Sequence, residues 1–284
     1  MNNTLDFNRL GKVIRRDAMN FIPNFGWSLV ILWAIPVVIW LTSFTLFISQ
    51  GGEVGGRLQM LRFLSTIALV VAPAKLYKDC NDPRKGIQYA MMPASSLEKF
   101  ISMFIFCVIV TPIVYTAGAV ALDTIMAAFP GKNPYDGFIF KLLFNAKERD
   151  MEIVEAMGSQ SLMYDGYLDD VNNAFSGFFI YFSKIISIIS MSAIFMFGNM
   201  IFKKRKTSKM IGILVLVFIF AMVIFIKWVM NHEDLMDSIA DEELNREMLI
   251  HLIRKANYIS WMISIIISAV MLGLTYRKIK TQKY

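Results

Sequence analysis

Cysteine and histidine are nearly absent, with two of each in 284 residues. Cys80 falls in an expected cytosolic connection and Cys107 inside an apolar run, so no disulfide framework is implied. Neither pair has tight ligand spacing, which excludes a structural zinc site. His232 and His251 lie on an acidic stretch with Glu233 and Glu247 and read as exposed polar positions, so no metal is expected. A nucleotide-binding loop is also lacking. Gly51-Gly52-Glu53-Val54-Gly55-Gly56-Arg57 imitates the glycine spacing, but the Lys and Ser/Thr that hold phosphate and magnesium are missing and no strand precedes it. The chain is therefore expected to carry no ATPase of its own. Intramembrane catalysis needs His-Glu-x-x-His, paired Asp or Ser with His within the apolar runs. They offer only Lys184 and charges near their ends, so no catalytic residue is assigned. The first 25 residues are polar to amphipathic and lack the pattern of a cleavable leader, so the first apolar run is expected to act as an uncleaved anchor.

What is abundant is apolar sequence: 56% of residues are hydrophobic, with 23 Phe and 20 Met. Six runs of bilayer length stand at 27–49, 58–77, 99–122, 174–202, 210–230 and 258–276. Basic residues gather on alternate connections: Arg9 to Arg16, Lys78 to Lys99, Lys203 to Lys209 and Arg277 to Lys283. The remaining segments, 124–172 and 231–256, are net acidic. Positive charge marks the cytosolic side, so the expectation is an all-α integral membrane protein of one domain over 1–284, with six spans and both termini cytosolic. The net charge of +7 belongs to these flanks and does not call for nucleic acid.

Residues 5–22 form an expected amphipathic interface helix. Leu10, Val13, Ile14, Asp17, Ala18 and Phe21 make a stripe that is apolar except at Asp17. Arg9, Lys12, Arg15 and Arg16 flank it and are expected to reach lipid phosphates. Pro23, Asn24 and Gly26 are expected to break this helix before the first span. Residues 50–56 read as a Gly-rich outside turn. The stretch 137–144 is apolar but too short to span and is placed at the outer interface. Residues 231–256 read as a second outside segment, helical and amphipathic. Lys184, inside the fourth span, is expected to snorkel or to pair with Asp123 at similar depth.

The most informative local sequence lies between the second and third spans. Asp82-Pro83-Arg84-Lys85-Gly86 begins it, Ile87 to Met92 is a short, mostly apolar run with Tyr89 inside it, and Pro93 ends that run. Ser95-Ser96-Leu97-Glu98 is a capping box that starts the third span. A rigid apolar stub held this way suits docking to a partner. The order of basic pair, Gly, apolar run, Pro-small-Ser and acidic helix start resembles the second cytosolic segment of type-2 ABC exporter permeases. The ending Met-Pro-Ala-Ser-Ser-Leu-Glu-Lys-Phe resembles the divergent permeases of Bacteroidetes-type bacteria. The acidic-basic-acidic run usual before the Gly is reduced here, and segment 124–172 is longer than the family pattern. The resemblance implies a coupling helix over Arg84, Lys85, Gly86, Ile87, Tyr89, Met92, Pro93, Ser95 and Glu98, which receives motion from a separate ABC ATPase subunit. It implies a homodimer or a paralogous permease partner, ATP and magnesium on that ATPase and no cofactor in this chain, and residence in the bacterial inner membrane. The implied activity is export of an amphipathic or lipid-like substrate. The alternative reading is a membrane scaffold or sensor partner that displays acidic outside segments.

Overall fold

The computed structural model describes residues 5–46, 54–81, 86–130, 133–135, 137–144, 174–203, 205–230 and 245–281. Every regular element among them is helical. The helices are α1 (Phe7–Leu46), α2 (Val54–Leu76), α3 (Gly86–Ala90), α4 (Ser96–Phe104), α5 (Thr111–Ala127), α6 (Ile139–Phe144), α7 (Ala174–Ile201), α8 (Lys206–Met230) and α9 (Asn245–Thr281). A 3-10 turn, Lys78–Asn81, follows α2. A π-helical segment, Ile105–Val110, joins α4 and α5 into one rod. Among the described residues, five helical stretches are long and apolar enough to cross a bilayer: Phe7–Thr45, Val54–Leu76, Ser96–Ala127, Lys206–Val223 and Tyr258–Thr281. In α7 the described apolar stretch, Ile185–Ile201, is shorter. The molecule is a multi-pass helical membrane protein.

The expected break after residue 22 does not occur. α1 runs through Pro23, Asn24, Gly26 and Pro36 without interruption. The stripe explains this. It continues past Pro23 as Phe25, Leu29 and Leu32, all buried in the core with Phe21. Each proline removes one backbone bond, but a long buried face outweighs that local loss, and membrane helices tolerate it. Asp6 contacts Glu98 and Asp17 contacts Ser102. Roughly 16 Å of α1 therefore faces only about 6 Å of α4 at 1.5 Å per residue, so the start of α1 crosses α4 obliquely. α9 likewise begins at Asn245, so the described part of the expected outside helix is continuous with the last span. α2 begins at Val54, so Gly55, Gly56 and Arg57 belong to its first turn and not to a loop.

The core gathers α1, α2, the α4–α5 rod, α7 and the end of α9. α2 contributes Ala68 and Ala72, both fully buried, where small side chains let neighbouring helices approach closely. α7 packs against α2 and α9, while α8 rests on α7 and α2. The outer faces of α8 (Leu216, Phe218, Phe220) and α9 (Ile259, Met262, Ile266) are apolar and exposed, as expected for surfaces that meet lipid. The α4–α5 rod widens where Pro112 lacks a donor. The Thr111 backbone N–H and hydroxyl both turn back to the Phe106 carbonyl, the hydroxyl at 2.8 Å.

Trp33 crosses from α1 to the rod and donates its indole N–H to the Tyr115 carbonyl at 3.1 Å. The indole lies directly over Gly118. A Cβ there would stand 2.2 Å from the Trp33 ring. Gly118→Ala is therefore expected to push the indole off its carbonyl and cost about 1–3 kcal/mol, the usual range for overpacking. A melting temperature in detergent equal to that of the wild type would show that the indole moves without loss.

Two buried polar layers bracket the bundle. One contains Asp17, Tyr77 and Ser102. The other contains Arg57 and Asp123. Residue spacing along α2 and along the α4–α5 rod sets them about 30 Å apart, the thickness of a bilayer hydrocarbon core.

Candidate functional site

At the Asp17 end, local rules build a hairpin between α2 and α4. The capping box forms in full: the Glu98 backbone N–H donates to Ser95 Oγ at 3.2 Å, and the Ser95 backbone N–H donates to Glu98 Oε2 at 2.8 Å. Glu98 does more than the box requires. Its Oε1 accepts the Asp6 backbone N–H at 2.9 Å, at the start of α1, and lies 3.3 Å from Arg9 Nη2. One fully buried carboxylate thus ties the N-termini of α1 and α4 together, where the helix dipoles favour negative charge.

α3 sits across this junction. Its residues divide between two faces. Ile87 is 46% exposed and Met91, just beyond the helix, is 78% exposed, whereas Tyr89 is only 9% exposed. Tyr89 belongs to the core and not to the outward face expected of it. The Arg16 guanidinium stands 5.6 Å from its ring centroid, and Lys99 Nζ donates to its backbone carbonyl at 2.9 Å. Burial raises the Tyr89 phenol well above its ordinary pKa, so the side chain stays neutral. Met92 turns inward as well, with Arg16 Nη1 at 3.0 Å from its sulfur. Pro93 is exposed and closes the run. Arg84 and Lys85 lie outside the described residues.

Asp17 is the hub below α3. Its Oδ1 accepts Arg16 Nε at 3.0 Å and Nη2 at 2.6 Å. Its Oδ2 accepts the Tyr77 hydroxyl at 2.9 Å and the Ser102 hydroxyl at 2.6 Å. α1, the end of α2 and α4 therefore meet at one carboxylate. Asn199 of α7 donates to the Tyr77 carbonyl at 3.2 Å and Lys206 to the Lys78 carbonyl at 2.8 Å, bringing two more elements to the same junction. Beside the hub is a cavity of about 550 Å³, bordered by Arg16, Asn20, Asn24, Asp79, Met91 and Phe106 among others. Cys80 also borders it. Burial pushes this thiol up to about 12, so it is a packing group and not a nucleophile at neutral pH.

The four basic residues expected on lipid phosphates separate into two pairs. Lys12 and Arg15 are exposed. Arg9 and Arg16 are turned to Glu98 and Asp17. The one polar residue in the apolar stripe, Asp17, was the signal of inward pairing: a carboxylate on a buried helix face needs donors.

At the opposite end, Asp123 bonds Arg57, with Nη1 to Oδ1 at 2.8 Å. The side chain of Lys184, the expected alternative partner, lies outside the described residues. Arg57 Nη2 also donates to the Gly137 carbonyl at 2.9 Å, and the guanidinium lies 4.2 Å from the Tyr135 ring centroid. Gly137 has φ of +66°, and a Cβ there would meet Val54 Cγ2 at 3.0 Å, so glycine fits this turn for two reasons. Together these contacts fold α6 onto the first turns of α2, with Ile139 buried against Leu58 and Val54. Asn133 completes this end, accepting the Trp40 indole N–H at 3.1 Å and donating to the Met126 and Ala127 carbonyls as α5 terminates.

Among the described residues, no group of three or more His, Cys, Asp or Glu is placed to hold a metal. Comparison with protein-family models, curated proteins and solved structures finds no match for this chain.

Proposed function

We propose that this chain is the membrane permease subunit of an ABC exporter in a bacterial cytoplasmic membrane. In this reading it crosses six times, with α7 as the fourth crossing and both termini in the cytosol, where the basic clusters lie. It pairs with a second copy or a paralogous permease, and each subunit recruits a separate ATPase that holds ATP and magnesium. The substrate is amphipathic or lipid-like.

One observation carries the reading: α3 offers Ile87 and Met91 outward while its inner contacts reach two long helices at once. A force on α3 passes to α1 through Met92 and Arg16, and to α4 through Tyr89 and Lys99. The Glu98 junction couples α1 to α4 directly. The adjoining cavity leaves α3 room to shift, which a close-packed interior would resist. ATP-driven closure of the ATPases would thereby tilt two spans together.

The residues to test follow from the exposure pattern. Tyr89 is unsuitable because a charge there would disturb the core. Ile87→Asp with Met91→Asp is expected to leave the chain inserted and folded but to abolish capture of its partner ATPase, together with transport-coupled hydrolysis. In intact cells, a cysteine at Met91 is expected to escape an impermeant maleimide and to react after permeabilisation. Capture and coupled hydrolysis at wild-type levels in the doubly charged variant would remove α3 as the coupling element and put the scaffold reading in its place.

A further inference from the structure

A second concavity lies away from the α3 junction, between the start of the α4–α5 rod and the end of α9. Leu97, Phe100, Ile101, Phe104, Leu272 and Tyr276 line about 410 Å³ of open groove. Among the described residues, no charged side chain borders it. Phe100 and Tyr276, both in this lining, meet edge to face with ring centroids 5.8 Å apart. Gly273 forms part of the wall, and an ideal Cβ there would meet nothing within 4 Å.

The charge lies just beyond the apolar lining. Arg277 follows Gly273 by four residues and Lys280 follows Tyr276 by four, so helical spacing puts both on the groove side of α9, one turn further on. Both are exposed. Ile279, between them, is buried in the core and fixes the rotation of this last turn. The groove is level with the Ser102 layer, at one boundary of the hydrocarbon core. An apolar channel rising into the bilayer, with two cations at its foot, complements a molecule that has an acyl chain and an anionic head.

We propose that this groove is a binding site for an anionic phospholipid. An acyl chain lies along Phe100, Phe104 and Leu272, and the phosphate meets Arg277 and Lys280. Charge selects the occupant: a purely hydrophobic neighbour would gain nothing from the two exposed cations, whereas an anionic head gains from both. The inference rests on the bilayer register and not on transport, so ATPase capture and lipid binding are separable.

The test is native mass spectrometry of the full chain, stripped of endogenous lipid in detergent and supplied with phosphatidylglycerol or phosphatidylcholine. The wild type is expected to retain phosphatidylglycerol at least about tenfold better, the order expected for two surface cations. Arg277→Gln with Lys280→Gln is expected to bring the two lipids close to parity without disturbing the fold, since both side chains are exposed. Gly273→Leu fills the groove and is expected to lose both lipids. Gly212→Leu on α8, where a Cβ also meets nothing within 4 Å, is the control and should match the wild type. Equal retention of the two lipids by the wild type would overturn the proposal. So would undiminished phosphatidylglycerol in both the Gln pair and Gly273→Leu. If Gly273→Leu instead turns a dimer into monomers with lipid retention unchanged, a second copy covers the groove and the lipid proposal fails.

Discussion

Asp17→Ala is expected to destabilise the protein by roughly 2–4 kcal/mol, with loss of the contacts that α1 makes through this carboxylate to Tyr77 and Ser102. The hub carboxylate accepts two buried hydroxyls and two guanidinium nitrogens. Its removal leaves the Tyr77 and Ser102 hydroxyls without their acceptor, at about 1–3 kcal/mol for each unsatisfied buried group. Arg16 loses its counter-charge, but its side chain is one-third exposed and can turn to water, so its share is small. The order of variants follows. Asp17→Ala should be worst and Asp17→Asn intermediate, because the amide keeps one acceptor. Arg16→Gln should be mildest. Thermal melts in detergent give the order. The structural consequence is specific too: with only the Glu98 tie left between α1 and α4, a cysteine pair bridging the two starts, at Asp6 and Leu97, should cross-link less efficiently in Asp17→Ala than in the wild type. A change under about 0.5 kcal/mol, the level of an ordinary surface substitution, would show that the carboxylate is not the organising group.

Breaking the Arg57–Asp123 pair from one side is expected to cost about 3–5 kcal/mol, whereas replacing both partners should cost far less. Arg57 is 2% exposed and Asp123 5%. Each single change strands a charge that water cannot easily reach. Arg57→Met strands the carboxylate. Asp123→Leu strands a guanidinium that still holds the Gly137 carbonyl and the Tyr135 ring. Arg57→Met with Asp123→Leu removes both charges and leaves similar apolar volume, so stability should return most of the way to wild type. What does not return is the hold on α6, because the Gly137 bond goes with Arg57. Limited proteolysis near residues 133–144 should therefore accelerate in Arg57→Met and in the double variant alike. A double-mutant cycle supplies the coupling energy. Strictly additive single effects would mean that the two charges do not depend on one another.

These two clusters mark where sequence reading stops. The capping box was legible because its bonds are local: Ser95 and Glu98 are three residues apart, and a helix start has unpaired donors wherever it occurs. The apolar runs were legible because bilayer thickness sets their length. That Glu98 would also receive Asp6 and Arg9 was not legible, since the oblique entry of α1 makes that meeting. Pro23, Asn24 and Gly26 read locally as a break. In the structure the stripe Val13, Asp17, Phe21, Phe25, Leu29, Leu32 is buried without a break, and that burial outweighs the missing proline bond.

By itself, then, the sequence determined that the chain is helical, multi-pass, built from runs of bilayer length, and primed at Ser95 to begin a helix. Period and length carry that information, and both are properties of neighbouring residues. Only the tertiary structure decided that Tyr89 turns inward and Met91 outward, that Arg16 serves Asp17 and Met92, and that Asp123 is matched to Arg57, sixty-six positions away. A buried charge must find an opposite charge or donors, and its residue type states that need. Which partner meets it depends on which helix faces pack together, and that is settled by the assembled bundle, not by any one segment.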